Sequence, residues 1–589
     1  MTFAEFAQYL EQLEQTSSRL TLIDILSELF KVVKADEIDK VVYLIQGRVG
    51  PFSEAVEIGM SEKLVAASIA RAYDTDKEKV LKEYAKVGDL GKVASQLASH
   101  PEREKRAEGS LAVNEVFDTL TEIAKTTGAG TVEKRINLLA GLLRVSDPIS
   151  AKHLARIPMG SSRLGVGDPT ILDAFAQAKL GDRKKRKILE TAYNRTSDLG
   201  LIGKTLWEKG EKGITSLGVM VGRPIRSQLA ERLPDAKTIL EKMGGEVHVQ
   251  YKYDGFRVQI HKDGDKVRLF SRNLEETTSM FPDLCEGAEK QIKAKSAIFD
   301  SEALAYNPDS EEFLPFQETT KRRRKYDIDA MAKKLPLRAF VFDILYFDGK
   351  PLIDLPLVER IAYLKKALKE DDVLIPQPGE VTKSVERIEE LFNESLTKGL
   401  EGLVTKRPDS KYEAGARNFN WVKLKRHSAG ELHDTIDCVI LGYIFGKGKR
   451  SGFGAGSLLV GVYDDKLDEF VTVSKIGTGL TDEEWKEIKV KSEKFKVQSK
   501  PARVNSLITP TVWVQPKIVI EVLADEVTKS PTHTAGLRDA QAKVKSGEKA
   551  MGYALRFPRL VKFRSDKKPE EATTVKELLE MYKDQFKKI

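Results

Sequence analysis

Cysteine is almost missing from this chain: Cys285 and Cys438 are the only two in 589 residues, so neither a disulfide framework nor a four-cysteine zinc site can be built. Histidine is scarce too, at seven, and no HExxH pairing occurs, which removes the helix-borne zinc hydrolases. No run approaches the roughly 18 unbroken apolar residues that a spanning helix requires, so no membrane partner is expected. The opening residues MTFAEFAQYL carry acid and no basic stretch ahead of an apolar one, unlike a secretory leader. The expected location is therefore the cytoplasm. Internal repeats and low-complexity linkers are absent as well.

What is present describes globular protein, with 41% hydrophobic and 32% charged residues. The length is too great for one core and suggests three units. The net charge of +8 is unevenly spread: KRRRK at 321–325, DRKKRK at 182–187, KGKR at 447–450, and a basic stretch from Arg556 to Lys568. Any one run is most simply a solvated surface. Together they point to a phosphate polymer, which such clusters bind by releasing counterions.

Texture divides the chain at two places. Residues 1–215 read as helices: Thr2 and Glu5 have capping-box spacing, and Phe6, Leu10 and Leu13 then share a face. Within SSRLGVGDPTILDAFA, Asp168 is the expected N-cap and Pro169 the first helical residue. The preceding loop, with Arg163, Gly165 and Gly167, could present free backbone N–H groups to a DNA phosphate. From about 246, apolar and polar residues alternate over short runs, which predicts an α/β domain on antiparallel sheets across 216–428. Near 430 the pattern becomes strand, glycine-rich turn, strand, which suits a β-barrel of the OB-fold kind over 429–589. A final helix is expected after a Thr cap, with Val575, Leu578, Leu579 and Tyr582 on one face.

Strand parity gathers the chemistry-bearing residues. In EVHVQYK, Val247, Val249 and Tyr251 share one face, which places Gln250 and Lys252 on the other. The same two-residue step joins Asp300 to Glu302 and Lys423 to Lys425. If these strands line one cleft, it holds a nucleophilic amine, two acids, two further amines and the flat ring of Phe342. That inventory fits a nucleoside triphosphate with a metal. The neutral amine of Lys252 can attack an α-phosphate, and nearby cations such as Arg257, Lys423 and Lys425, or a metal, would favour its unprotonated form. Gly255 is read as letting the backbone turn close to the ligand. Other nucleotide folds do not fit. GKT at 203–205 misses a P-loop because position 198 is Asp198, and the glycines at 446–456 open no helix.

In chain order, YKYDGFR is followed by SRN at 271–273, FDSEALAY at 299–306, FVFDILYFDG at 340–349, EGLVTK at 401–406, WVKLK at 421–425 and RFPRLVKFRSDKKPEEATT at 556–574. This series resembles the motifs of ATP-dependent DNA ligases of the archaeal and eukaryotic replicative type. The likeness spans nearly the whole chain and is strongest from 223 to 574. It implies an all-α DNA-binding domain, a nucleotidyltransferase domain with ATP-grasp-like antiparallel sheets, and an OB-fold barrel. It implies that Lys252 forms a lysyl–AMP adduct, Gln250 reads the adenine edge and Phe342 stacks on the base. Arg257 and Arg272 would contact ribose or phosphate, Lys423 and Lys425 the α-phosphate, and Arg417 would join the AMP-binding set. Glu302 would meet the ribose hydroxyls and, with Glu401, a magnesium ion, manganese being the alternative.

Arg564, Asp566 and Lys567 look like the last motif, which closes over ATP and orients the departing pyrophosphate. Lys449 and Arg450, with the Arg163–Gly167 loop, would touch DNA. The implied partner is nicked duplex DNA, handled by a monomer at the nucleoid. Departures exist: RPIRSQLAER at 223–232 lacks the usual Pro-Met-Leu-Ala run, Phe256 stands at a variable position, and no sliding-clamp sequence is visible, which leaves a clamp partner without a motif. The readings that compete are a GMP-transferring capping enzyme and, in a different class, a DNA-binding scaffold with a decayed nucleotide site.

Overall fold

Amphipathic spacing governs the first 215 residues, and the elements there are helices, from Phe3–Glu14 to Leu199–Thr215. The computed structural model describes residues 1–99, 111–160, 162–306, 313–314, 319–324, 326–369, 371–398, 400–425, 435–444, 456–477, 480, 482–538, 550–556 and 558–584. Thr2 caps the first helix reciprocally: the Glu5 N–H donates to Thr2 Oγ1 at 3.2 Å, and the Thr2 N–H donates to Glu5 Oε2 at 2.8 Å. Phe6, Leu10 and Leu13 are buried on its inner face. At the helix Asp168–Leu180 the cap falls one residue earlier than expected, on Gly167. The Asp168 carboxylate is instead drawn sideways, accepting from Tyr193 Oη at 2.5 Å and Gln46 Nε2 at 3.2 Å.

Two compact units form, Met1–Lys425 and Arg426–Ile589. After its helices the first unit builds two sheets. One contains β1 (Leu229–Arg232), β2 (Val247–Lys252), β9 (Gly379–Thr382), β10 (Gly402–Lys406) and β11 (Arg417–Lys425), in the order β1-β11-β10-β2-β9. The other contains β3 (Phe256–Asp263), β4 (Lys266–Ser271), β5 (Ser296–Ala305), β6 (Leu337–Phe347), β7 (Lys350–Pro351) and β8 (Leu374–Pro376). Its order is β4-β3-β5-β6-β7, with β8 on β6. Most pairings are antiparallel as expected, but β1 joins β11 and β8 joins β6 in parallel. Both exceptions are short strands that follow connections across the molecule, where no hairpin dictates direction.

Each sheet buries one face under helices. Val258, Ile260, Phe299 and Ala303 turn to the core beneath Pro282–Gln291, while Val247, Val249, Leu403 and Val422 pack on Ala236–Met243. The opposite faces, carrying the polar members of each alternation, look into a cleft. A third cluster, Val219, Ile225, Ile298, Leu345, Ile353, Tyr412 and Trp421, joins residues of both sheets.

The second unit is a curled sheet. Its strands are β12 (Ile436–Ile444), β13 (Ser457–Asp464), β14 (Glu469–Ile476), β15 (Lys496–Val497), β16 (Val504–Asn505), β17 (Val512–Val514), β18 (Val519–Leu523) and β21 (Arg559–Phe563). They run β15-β17-β12-β13-β14-β16, with β18 linking β12 to β21; β19 (Glu526–Ser530) and β20 (Gly552–Arg556) pair separately. The last helix, Val575–Asp584, starts from Thr574 and buries Val575 and Leu578. Lys449 and Arg450 lie outside the described residues. Among the described residues no helix is long and apolar enough to cross a membrane.

Candidate active site

Register explains how Lys252 meets its neighbours. β10 lies between β2 and β11, and Gly402 stands opposite both Lys252 and Lys425. Glu401, one residue earlier, therefore projects between the two amines and is ion-paired with each. The backbone holds the same arrangement, since the Glu401 N–H donates to the Lys252 carbonyl at 3.0 Å. Gly402 makes it feasible: its φ is +140°, and a Cβ there would lie 2.1 Å from the Leu424 carbonyl oxygen.

A cleft of about 370 Å³ opens beside Lys252. From the first sheet it is lined by Gln250, Lys252, Val404, Lys406, Arg417, Trp421 and Lys423; from the second by Arg257, Ser271, Arg272, Glu302 and Phe342. Among the described residues the lining carries seven basic side chains if Arg323 is included, against one carboxylate, Glu302. Such a cavity favours a polyanion. Gln250 is 2% exposed, and neither its Oε1 nor its Nε2 has a hydrogen-bond partner among the described residues. An unpaired buried amide is costly and suits a site that a ligand completes. Phe342 and Trp421 meet edge to face at 6.0 Å.

The charges set one another. Burial pulls the Lys252 amine down, but Glu401 and Glu302 outweigh it and hold the ammonium above its ordinary range. This corrects the expectation that surrounding cations would favour the free amine: Lys425 is close by, but Glu401 intervenes. Burial pushes Glu302 up to about 7 despite Lys252 and Arg257. Burial would also raise Glu401, yet Lys252 and Lys425 keep it below the usual carboxylate range. Lys423 is drawn down by burial and by Lys425, Arg417 and Lys252.

Two further expectations change. Asp300 is fully buried and does not line the cleft. It is forked to Arg257, with Nε to Oδ1 at 2.9 Å, and accepts from Tyr412 Oη at 2.8 Å. The cleft thus offers one lining acid, because the other is spent on orienting Arg257. Gly255 lines the cleft, but what forbids a side chain there is a neighbouring strand: a Cβ would lie 2.2 Å from the Ala303 carbonyl oxygen.

Other predicted residues fall elsewhere. Arg163 sits at φ +58° and is tied to Asp89 at 3.3 Å and to the Gly88 carbonyl at 3.0 Å. Arg564 and Lys567 belong to the second unit, where both engage Asp437, at 3.1 and 2.6 Å; Asp566 pairs with Arg564. Among the described residues the one metal-capable group of three donors is Glu11, Glu14 and His153, and Lys152 and Arg156 already neutralise its carboxylates.

Sequence reasoning missed Trp421, Lys406, Tyr412 and Gln228. Trp421 shares the parity of Lys423 and Lys425, and Lys406 that of Gly402, so both were within reach. Lys406 is buried against the Phe342 and Trp421 rings, at 4.6 and 4.2 Å. Burial lowers its amine to about 7, and it donates to the Phe342 carbonyl at 3.1 Å. Tyr412 and Gln228 lie outside the strands, where parity says nothing.

Comparison with known proteins bears on the whole chain. Three family models match: a DNA ligase N terminus over residues 2–176, an ATP dependent DNA ligase domain over 227–425, and an ATP dependent DNA ligase C terminal region over 450–567. A probable DNA ligase of Dictyoglomus turgidum is 47% identical, with 96% of this chain and 94% of that protein covered. A DNA ligase of Saccharolobus solfataricus is 42% identical over the same shares. A solved structure titled Pmar-Lig_Pre has a similar fold, with a TM-score of 0.53 at 17% identity, 95% of this chain and 99% of that one being covered.

Proposed function

The chain belongs to the ATP-dependent DNA ligases, and on that premise we propose that Lys252 is the residue that carries AMP. The enzyme seals nicks in duplex DNA. It adenylylates itself, passes AMP to the 5′-phosphate of the nick, and joins the 3′-hydroxyl to that phosphate with release of AMP. In the first step the Lys252 Nζ–P bond forms as the bond from the α-phosphorus to pyrophosphate breaks. The nucleophile is the free amine, so the proton favoured by Glu401 and Glu302 has to leave before attack.

The cleft, with Glu401 and Lys425 joined to Lys252 beside it, supports roles for further residues. Gln250 offers a donor and an acceptor to the adenine edge, and Phe342 and Trp421 offer rings to the base. Arg257, immobilised by Asp300, and Arg272 are placed for ribose or phosphate; Lys423, Lys425 and Arg417 supply positive charge for the α-phosphate. Glu302 and Glu401 are hard oxygen donors of the kind magnesium or manganese takes, and would hold the ion. When bound, that ion neutralises phosphate charge. Arg564, Asp566 and Lys567 would serve the pyrophosphate from an OB-fold domain.

We further assign three domains, 1–215, 216–428 and 429–589, the first binding DNA through the Arg163, Gly165 and Gly167 loop, with Lys449 and Arg450 contributing from the last. The enzyme acts as a monomer in the cytoplasm, at the nucleoid. The observation that carries the proposal is the shared cleft of Lys252, the unpartnered Gln250 amide and Phe342. Incubation with α-labelled ATP and magnesium is expected to add one AMP to Lys252, and Lys252→Ala to abolish it. Sealing of a nicked duplex with ATP, GTP and NAD, compared side by side, tests the nucleotide choice. A protein that binds nicked DNA yet gains no AMP mass would be a scaffold instead.

A further inference from the structure

Of the cations lining the cleft, Lys406 is packed against the Phe342 and Trp421 rings, and Arg323 takes no part in the proposed adenylation steps. Arg323 ends the short turn Thr320–Arg322, in the basic run at 321–325. Its neighbour Arg322 anchors that turn: the buried guanidinium is forked to Asp283 at 2.8 and 3.2 Å and donates to the Leu335 carbonyl at 3.0 Å. Arg323 therefore leaves a fixed base and reaches the cleft, which Arg272 and Phe281 also line.

There its Nη2 meets Glu275 Oε2 at 2.9 Å, in a pair whose side chains are 39% and 48% exposed. A pair so exposed is weak and yields readily to a stronger anion. Glu275 closes the turn that projects Arg272, because the Ser271 N–H donates to its carbonyl at 2.9 Å. Arg272 itself has no carboxylate partner among the described residues. Two guanidinium groups, Arg272 and Arg323, thus line the cleft, and the counter-charge held by Arg323 is the exposed and exchangeable Glu275.

Arg272 follows β4, at one edge of the cleft. Phe342, on β6, is three inter-strand steps away, or roughly 14 Å. A base stacked at Phe342 leaves this edge to phosphate.

We propose that Arg323 is a phosphate-binding residue of this enzyme, forming with Arg272 a subsite at the β4 edge of the cleft. It exchanges Glu275 for a phosphate other than the one joined to Lys252. That phosphate is either the pyrophosphate portion of ATP or the 5′-phosphate of the nick, since a planar guanidinium fork suits both. The inference rests on the lysyl-adenylate reading.

The test uses the full chain with Arg323→Ala, Arg323→Lys and Glu275→Gln. One arm measures the KM for ATP in self-adenylylation and the pyrophosphate concentration that half-reverses the enzyme adenylate. The other measures AMP transfer from purified adenylate to nicks at increasing DNA concentration. Arg323→Ala is expected to raise the half-saturating concentration about tenfold in at least one arm, as for loss of one charge-assisted hydrogen bond. Arg323→Lys should recover part of it, and Glu275→Gln should cause no loss. An effect in the first arm assigns the subsite to ATP, one in the second to the nick. No change in either arm overturns the proposal, as does a Glu275→Gln variant that weakens binding as much as Arg323→Ala. If the unaltered enzyme takes up no AMP, the adenylation reading itself has failed.

Discussion

Lys252 and Glu401 are bound to each other twice, once through the backbone, N–H to carbonyl at 3.0 Å, and once through a side-chain ion pair. The nucleophile cannot shift along its strand without carrying its counter-charge with it. The pairing also fixes the resting protonation of the amine, because a carboxylate at contact distance favours the ammonium form.

Glu401→Gln is therefore expected to lower the Lys252 pKa and to expose more free amine at neutral pH. The rate at which an amine-directed reagent labels Lys252 in the nucleotide-free enzyme should rise about three- to tenfold, since one pKa unit changes the free-amine fraction about tenfold. Peptide mapping of the label measures this. An unchanged or slower rate would contradict the electrostatic account.

Gln250→Leu should separate stability from function. The amide is buried without partners, so an apolar replacement removes an unpaid desolvation cost and should stabilise the nucleotide-free protein by about 1–2 kcal/mol. The KM for ATP should rise in the same variant. Denaturant titration and adenylylation kinetics provide the two readings; loss of stability would mean that the amide is satisfied within the fold.

Gly402→Ala is expected to cost more than about 3 kcal/mol, because it combines a left-handed φ with a backbone clash. The damage should centre on Glu401, next in the chain. A denaturation midpoint close to that of the unaltered protein would refute the local geometry.

Among the described residues four histidines respond to burial, all in one direction. His153, His248 and His533 are pushed down to about 4, and His261 to about 3, from an ordinary 6.5. Below 6.5 the unfolded chain takes up protons that the native chain refuses. The stability they contribute is thus complete above that pH and is lost as the pH falls toward 4. Thermal unfolding at pH 7.5, 6 and 5 should show a falling midpoint; a rising one would be inconsistent with neutral buried imidazoles.

Much of the site could be read from two-residue spacing, because parity decides which side chains share a face before any contact is known. It placed Gln250 beside Lys252, and Lys423 beside Lys425. It could not say which sheet would face which, so Asp300 looked available although Arg257 and Tyr412 consume it. The sign of the Lys252 shift was missed for the same reason: Glu401 stands between two lysines only because β10 separates β2 from β11. Gly255 was visible as a requirement, but its cause, the Ala303 carbonyl, belongs to another strand. The helices were legible from period alone, with the cap of one displaced from Asp168 to Gly167.

The stretch leading out of the helices is part of the wall it leads to. Val219 and Ile225 are buried with Tyr412 and Trp421, while Gln228, Leu229 and Ala230 border the cavity. A shortened enzyme that began at β1 would lose Val219, Ile225 and Gln228 and start with a frayed nucleotide pocket, so any useful truncation has to be made upstream of Val219.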